Sequence, residues 1–527
     1  MLIDKRERAD SPPERRRGAW AVGALCKTTG KEEALEEGNS VFACKMDRAD
    51  ADLAMHAAAL AAHDATMILP RLLSETLLLD PAHIGAVVLL LQRAKAPQHV
   101  EPAARWLRKI LSIEVNPHID AVIAAGAMPR LVGLLELPDT AGGRLHFEVC
   151  WIFTNLLSGP AASTGAVLDS GVIPHLVRLL EAEPSVATQA MWALGNAAGD
   201  GAPARDRLLA AGLFEALARL CGGARGIPDH PPLEKQCAWL ISNVFRFKPR
   251  PRVEKCQSLL PVLVQWALRG GAVAKDAMWA LAYVSEDEDN LDACMRAGVA
   301  RALLLLLLHG GGGGGGGDGD AALPALRVFG NFCAGSEAHT QAALDTGALR
   351  ALPPLLAHAN RALRKEALWA LSNVCAGTPA QARLVDEAGL WPAVMECALE
   401  ADQTVAREGV WACANALTCQ GAAGAKHLVA LGALDTLKRF ISRAGADERA
   451  VGCCLEGLVK MVNEAQQEEA WLAQLRVGFE ETGLGDCIMQ LLVDGKLEGQ
   501  RRRCARDLLE VLGEHIMSVL GGEEGEE

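Results

Sequence analysis

Apolar residues recur along this chain at the three-and-four spacing of amphipathic helices, within a longer unit that itself repeats. The stretch ATQAMWALGNAAGD, at 187 to 200, returns in six further copies: FEVCWIFTNLLSG, EKQCAWLISNVFRF, AKDAMWALAYVSED, ALRVFGNFCAG, RKEALWALSNVCAG and AREGVWACANALTC. From Asn155 in the first copy to Asn415 in the last, the matching position advances by 41, 47, 40, 48, 42 and 42 residues. A period of about 40 to 47 residues is typical of helical solenoids.

A glycine that precedes an apolar helix keeps the same period, as in AGAMPRLVGLL and SGVIPHLVRLL. These glycines are Gly126, Gly171, Gly212, Gly298, Gly347, Gly389 and Gly432. Glycine tolerates left-handed backbone, so one helix can end there and the next can begin at a sharp angle. Each unit is predicted to contain a short helix, a turn and two longer helices. The predicted fold is all-α, an armadillo-repeat right-handed superhelical solenoid.

Composition narrows the possible functions. A net charge of −13 argues against direct nucleic-acid binding and favours a basic partner. The longest apolar run, 302 to 308, is far too short to span a bilayer, so no membrane insertion is expected. The sixteen cysteines lack C-x-x-C spacing and are interpreted as reduced, buried thiols. No residue pattern indicates catalysis, a cofactor or a metal, so we expect a protein that is not an enzyme.

The most informative feature is a set of three positions on the last helix of each unit, at i, i+3 and i+7, which share one helix face. We call this set the row. Its five complete copies are Glu148/Trp151/Asn155, Gln189/Trp192/Asn196, Gln236/Trp239/Asn243, Glu366/Trp369/Asn373 and Glu408/Trp411/Asn415. Burial would leave its polar groups unpaired at a cost of about 1–3 kcal/mol each, whereas the opposite face, with Ala190, Leu194 and Ala197, is apolar. The row is therefore expected to face water.

Stacked helices about 10 Å apart would align the row into one ladder of indoles and one of amides. Each amide could pair with the backbone of an extended peptide, and each pair of indoles could hold the stem of a lysine or arginine by cation–π attraction. The carboxylates that could receive the charged tips are Glu148, Asp200, Asp276, Glu366 and Glu408. The predicted ligand is an extended, lysine-rich peptide.

The row is interrupted in the middle of the chain. Tyr283 stands at one asparagine position and Arg327 at one tryptophan position. An arginine there should repel a basic peptide, so two basic clusters joined by a spacer are predicted to fit better than one continuous cluster. Trp279 lies at the margin of the first group.

WALGN followed by Gly199 and Asp200, DAMWALAY at 276 to 283 and ALRVFGN at 325 to 331 resemble the importin alpha family of nuclear-import adaptors, as does their order. The resemblance implies recognition of nuclear localisation signals at a major and a minor site. The major site would comprise Trp151, Asn155, Gly159, Thr164, Gln189, Trp192, Asn196, Asp200, Trp239, Asn243, Arg246, Asp276 and Trp279. The minor site would comprise Tyr283, Arg327, Asn331, Thr340, Glu366, Trp369, Asn373, Glu408, Trp411 and Asn415.

The resemblance also implies shuttling between cytoplasm and nucleus, a basic N-terminal arm that binds importin beta, and an export receptor that recycles the adaptor. Arg15, Arg16, Arg17 and Lys27 match that arm, but Glu36 and Glu37 replace its second basic cluster. The expected layout is a degenerate, disordered arm at 1–50, a linker or extra helix at 51–80, about ten repeats at 81–515 with a glycine-rich insertion at 310–319, and an acidic tail at 516–527. The alternatives are an armadillo-repeat scaffold, or a divergent importin alpha that works without importin beta.

Overall fold

The computed structural model describes residues 68, 70–74, 76–94, 97–113, 117–138, 144–222, 230–255, 257–311, 321–443 and 445–513. The expected arm, the acidic tail, and most of the linker and of the glycine-rich insertion lie outside these residues. The described residues divide between Pro251 and Arg252 into two compact units, which we call the N-terminal unit and the C-terminal unit. The expected domain boundaries stay predictions.

The N-terminal unit consists of α-helices and two single 3-10 turns, Pro81–His83 and Leu179–Glu181. The helices are α1 (Ile84–Arg93), α2 (Pro97–Leu111), α3 (Ile119–Ala124), α4 (Met128–Glu136), α5 (Arg144–Leu156), α6 (Ala161–Asp169), α7 (Ile173–Arg178), α8 (Pro184–Ala198), α9 (Ala202–Ala210), α10 (Leu213–Gly222) and α11 (Pro231–Arg246). From α3 onward they follow the predicted order of three helices per repeat.

The C-terminal unit continues the same order, with 3-10 turns at Val253–Lys255, Gly271–Val273 and Ala348–Ala351. Its helices are α12 (Leu259–Arg269), α13 (Ala274–Ser285), α14 (Glu288–Arg296), α15 (Val299–Gly311), α16 (Ala322–Ala334), α17 (Glu337–Leu344), α18 (Pro353–Leu356), α19 (Arg361–Cys375), α20 (Pro379–Glu387), α21 (Trp391–Ala398), α22 (Gln403–Cys419), α23 (Gly421–Ala430), α24 (Ala433–Ile441), α25 (Glu448–Ala465), α26 (Glu469–Thr482), α27 (Leu484–Val493) and α28 (Gly499–Leu512). No strand occurs among the described residues, which confirms the predicted all-α fold.

The predicted glycine turns are confirmed. All seven glycines named above have positive φ, between 67° and 96°, and each lies between the first and second helix of a repeat. A side chain there would be strained by contact between Cβ and the following carbonyl. The turns therefore fix where the second helix of each repeat starts.

The helices that carry the row, which we call the row helices, are α5, α8 and α11 in the N-terminal unit and α13, α16, α19 and α22 in the C-terminal unit. Within each unit, successive row helices pack directly against one another. Ala190, Leu194 and Ala197 of α8 are fully buried, as predicted for the face opposite the row. Equivalent row positions on neighbouring helices are thereby held side by side.

Candidate functional site

Two tryptophans of the row, Trp239 and Trp369, lie against the preceding row helix. The indole of Trp239 covers Gly195, where an added Cβ would lie 2.1 Å from its Cζ3 atom. Gly330 in the C-terminal unit is covered in the same way by Trp369, again at 2.1 Å. These glycines are the G of WALGN and of VFGN, and they are required because the next indole occupies the space of a side chain.

The contact between an indole and the preceding row helix is indicated in the sequence by a small residue, which is a separate feature from the spacing of the row. The residue immediately before the asparagine position is small in every copy: Thr154, Gly195, Ser242, Ala282, Gly330, Ser372 and Ala414. A small residue at that position leaves room for the neighbouring repeat.

Four asparagines of the row, at 196, 243, 331 and 415, connect successive row helices, whereas Nδ2 of the buried Asn373 has no hydrogen-bond partner among the described residues. Nδ2 of Asn196 donates to the carbonyl of Thr154 at 2.9 Å, and Nδ2 of Asn243 donates to the carbonyl of Gly195 at 3.1 Å. Asn331 and Asn415 repeat the bond in the C-terminal unit, to the carbonyls of Ala282 and Ser372 at 2.9 and 3.0 Å, and Asn155 donates to Ser112 Oγ at 3.0 Å. One donor of each of these amides is therefore used within the chain, between the repeats, and only the rest of the amide can pair with a ligand. A second N–H and the amide oxygen of Asn196 and Asn243 remain.

The expectation that the whole row faces water is wrong. Trp279, Trp369 and Trp411 are only 6%, 5% and 5% exposed, and the asparagines at 196, 243, 331 and 373 are buried. For the amides at 196, 243 and 331 the physical reason is the hydrogen bond that each makes to the preceding row helix. Trp151, Trp192 and Trp239, all in the N-terminal unit, are the tryptophans of the row that stay half-buried.

Three indoles of the row are covered by an arginine of the chain itself. The guanidinium carbon of Arg108 lies 4.4 Å from the ring centre of Trp151, that of Arg327 lies 5.4 Å from Trp369, and that of Arg407 lies 5.1 Å from Trp411. These distances are within the range of cation–π attraction.

Each covering arginine also contacts the carboxylate three residues before its tryptophan. Arg108 Nε lies 2.6 Å from Glu148 Oε2, Arg327 Nη2 lies 2.5 Å from Glu366 Oε1, and Arg407 Nη2 lies 3.6 Å from Glu408 Oε1. All three carboxylates are buried, Glu408 to 1% exposure. These glutamates were expected to receive cations of a ligand, but internal cations already pair with them, because a buried carboxylate is costly unless it is paired.

The residue three positions before the tryptophan separates covered from uncovered indoles. Glutamate precedes Trp151, Trp369 and Trp411, which are covered, whereas Gln189 and Gln236 precede Trp192 and Trp239. Among the described residues no cation lies over the rings of Trp192 and Trp239. A neutral amide needs no counter-ion, so the chain has no electrostatic reason to bring an arginine to these two indoles.

At the interruption of the row, Tyr283 stacks on Trp279 of the same helix, with ring centres 5.4 Å apart and planes at 29°. Arg327 lies between Glu366 and the indole of Trp369. Its charge is paired with that glutamate, which reduces the repulsion expected between Arg327 and a basic peptide; the repulsion itself stays a prediction.

The other predicted site residues lie near the ends of the row helices or on the helix that follows a row helix. Gly159 follows α5 and is buried, and Asp200 follows α8 and is half-buried. Thr164 is fully buried on α6, and its hydroxyl has no hydrogen-bond partner among the described residues. Thr340 is fully buried on α17, where its hydroxyl donates to the carbonyls of Cys333 and Ser336.

Arg246 ends α11 with its guanidinium carbon 5.4 Å from the ring centre of Phe247. Asp276 is buried on α13. Arg15, Arg16, Arg17 and Lys27 lie outside the described residues.

Three further properties of the described residues concern metal binding, membrane insertion and thiol chemistry. Among these residues, no group of three or more His, Cys, Asp or Glu could hold a metal ion. Likewise, no described helix is long and apolar enough to cross a membrane. Burial raises the pKa of the Cys294 and Cys413 thiols to about 12, so both stay protonated near neutral pH and are poor nucleophiles.

Comparison with known proteins agrees with the repeat fold. Residues 161–199 and 336–376 match the family of Armadillo/beta-catenin-like repeats. The crystal structure of an engineered protein superposes with a TM-score of 0.69 at 23% identity, covering 82% of this chain and 98% of that one, which supports the solenoid fold.

The chain is 35% identical over 274 residues to importin subunit alpha-1b of Oryza sativa subsp. japonica, covering 51% of this chain and 48% of the relative. It is 34% identical over 271 residues to importin subunit alpha-3 of Arabidopsis thaliana, with coverage of 51% and 49%. Probable importin subunit alpha-A of Dictyostelium discoideum is 33% identical over 239 residues, 42% of each chain. The chain thus spans about half the length of the curated relatives it matches. Its armadillo repeats and these relatives together support an assignment to the importin alpha family.

Proposed function

We propose that this protein is a nuclear-import adaptor, without enzymatic activity, that binds lysine- or arginine-rich nuclear localisation signals as extended peptides along the row. Its cargo would be proteins that carry such signals, and it would move between cytoplasm and nucleus. The export receptor is a partner by family resemblance only. The observation that carries the proposal is the difference between covered and uncovered indoles.

The covered positions supply an internal example of the binding contact. At Trp151, Trp369 and Trp411 a guanidinium lies over the indole, 4.4 to 5.4 Å from the ring centre. The uncovered indoles of Trp192 and Trp239 have the same place on their helices and are half-buried, so a cationic side chain can reach them from solvent. A ligand's lysine or arginine would make there the contact that the chain's own arginines make elsewhere.

The backbone of the ligand is assigned to the asparagines. Asn196 and Asn243 are fixed by their bonds to Thr154 and Gly195, so their remaining N–H and oxygen are held in one orientation. Adjacent row helices lie about 10 Å apart, and an extended peptide advances about 3.3 Å per residue. Each repeat therefore meets about three ligand residues, and the carboxylate of Asp200, which follows α8, would lie near one ammonium group of the ligand.

The proposal is tested by fluorescence polarisation with a labelled lysine-rich signal peptide. The double variant Trp192→Ala/Asn196→Ala removes one cation–π contact and one amide, so the affinity should fall roughly 30- to 100-fold. Leu137→Ala, a change at an exposed apolar residue of the same unit, serves as the control and should bind as the unchanged protein does. Unchanged affinity in the double variant would refute the proposal.

Linkage to importin beta is a separate part of the proposal. Arg15, Arg16, Arg17 and Lys27 favour it, whereas Glu36 and Glu37 favour an adaptor that works without importin beta. A pull-down with residues 1–50 fused to a carrier distinguishes the two. Retention of importin beta supports the linked adaptor, and failure to retain it supports the independent one.

A further inference from the structure

The cluster of Arg108, Glu148 and Trp151 lies at the start of the row in the N-terminal unit. Arg108 comes from α2, whereas Glu148 and Trp151 come from α5. The Arg108 side chain is 16% exposed and that of Glu148 is 11% exposed. The cluster is therefore partly open to solvent.

We propose that Arg108 is a specificity-determining residue, which closes the Trp151 position to a ligand and limits the N-terminal unit to two basic side chains, at Trp192 and Trp239. This inference rests on the proposed function, because it concerns the ligand of the same row. It predicts how many basic residues of a nuclear localisation signal contribute to the binding affinity of the N-terminal unit.

The physical basis is an exchange of one arginine for another at the same place. A ligand arginine that entered this position would have to displace Arg108, and it would then meet the same carboxylate and the same indole. The interactions that form are equivalent to those that break, while ordering and desolvating the incoming side chain still cost free energy. A third basic residue in the peptide therefore adds little affinity while Arg108 is present.

The other two covered indoles support this role of Arg108. Arg327 and Arg407 combine a contact to glutamate with a position over the indole in the same way, although they come from different places in their repeats. Arg327 lies on the preceding row helix, whereas Arg407 is adjacent to Glu408 on the same helix. The recurrence of one arrangement from different chain positions indicates that the cation, and not its position in the helix, is what the glutamate and tryptophan require.

The experiment compares two peptides by fluorescence polarisation. The first has two lysines three residues apart, and the second has in addition an arginine three residues beyond each end, which makes the test independent of peptide direction. In the unchanged protein the two peptides should bind within about threefold of each other. In Arg108→Ala the longer peptide should bind about tenfold more tightly than the shorter one, since it forms one cation–π contact beside a carboxylate.

Two further variants keep the result interpretable. Arg105 Nε lies 3.6 Å from Glu148 Oε1 and could take over the contact, so Arg105→Ala/Arg108→Ala is measured as well. Arg219→Ala is the matched control, because it removes an equally charged residue that is 62% exposed on α10 and paired with Glu181. The control should leave the ratio of the two affinities unchanged.

The inference is overturned if neither Arg108→Ala nor the double variant increases that ratio while the shorter peptide still binds. If neither peptide binds the unchanged protein, the proposed function itself has failed. Thermal unfolding of each variant confirms that the helices are intact. The ratio of affinities, rather than either affinity alone, removes the general effect of a lost positive charge.

Discussion

The N-terminal and C-terminal units carry the same row on the same kind of helix, yet they expose it differently. In the N-terminal unit the indoles of Trp151, Trp192 and Trp239 are half-buried, and two of them are uncovered. In the C-terminal unit Trp369 and Trp411 are 5% exposed and each lies under an arginine. The difference shows that these row helices present an indole in the same place. The residue three positions before the tryptophan, glutamate or glutamine, indicates whether an arginine of the chain covers that indole.

The largest effect expected from this comparison is on stability. Trp369→Ala removes a buried indole that packs on Gly330 and should cost about 3–5 kcal/mol of unfolding free energy. Trp192→Ala removes a half-buried indole and should cost clearly less. Urea unfolding followed by circular dichroism measures both, and equal losses would contradict the difference in burial.

Removing an arginine that covers an indole should have the next largest effect on the free energy of unfolding. Arg407→Ala takes a cation away from Glu408, which is 1% exposed, and should cost about 1–3 kcal/mol of unfolding free energy. The double variant Arg407→Ala/Glu408→Gln places a glutamine three residues before Trp411, as at the uncovered indoles, and should recover much of the lost stability. If the double variant is no more stable than Arg407→Ala, the pairing rule is wrong.

Adding a methyl group beneath an indole, in one variant of each unit, compares how much the two units contribute to peptide binding. In Gly195→Ala and Gly330→Ala the new Cβ would lie 2.1 Å from Trp239 and Trp369, so the indole must move, at about 1–3 kcal/mol. Gly195→Ala should also weaken binding of a lysine-rich peptide several-fold. Gly330→Ala should have a smaller effect on that affinity, and the reverse order would place the main contacts in the C-terminal unit.

The smallest predicted effect is at the start of α22. Asp402 accepts hydrogen bonds from the Thr404 hydroxyl and from the backbone N–H of Thr404 and Val405. These bonds, with the hydroxyl first, and Arg361 lower the pKa of Asp402 to about 2. The folded state therefore gains stability above the unfolded pKa of about 3.9, and that gain is lost as the pH falls toward 2.

Asp402→Asn separates the two contributions of this residue. The amide still caps the helix but does not titrate, so the stability of this variant should depend less on pH between 4 and 2. Asp402→Ala should lose about 1 kcal/mol at neutral pH, where the aspartate is ionised. Unfolding at several pH values measures both, and identical acid profiles for all three proteins would exclude the assignment.

Much of the fold could be predicted because its signals are local. The period, the left-handed glycines and the place of the row on the third helix all follow from spacing along the chain. The burial of the row could not be predicted in the same way, because it depends on contacts one repeat away. Asn196 bonds to Thr154, 42 residues earlier, and Arg108 pairs with Glu148, 40 residues later.

The distinction between covered and uncovered indoles was nevertheless visible in the sequence. Glu148 and Gln189 are both polar, but a buried carboxylate needs a cation whereas a buried amide does not. The small residue before each asparagine was a second signal of this kind. Both concern what a neighbouring repeat must supply, which periodicity alone does not indicate.

The central claim is that a basic ligand contacts the uncovered indoles while the chain's own arginines keep the covered ones. A crystal structure of the protein with a lysine-rich signal peptide tests this most directly. We expect lysine stems over Trp192 and Trp239, the peptide backbone bonded to Asn196 and Asn243, and Arg108 and Arg407 still in contact with Glu148 and Glu408. A peptide that leaves Trp192 and Trp239 untouched, or that displaces both arginines, would contradict the account.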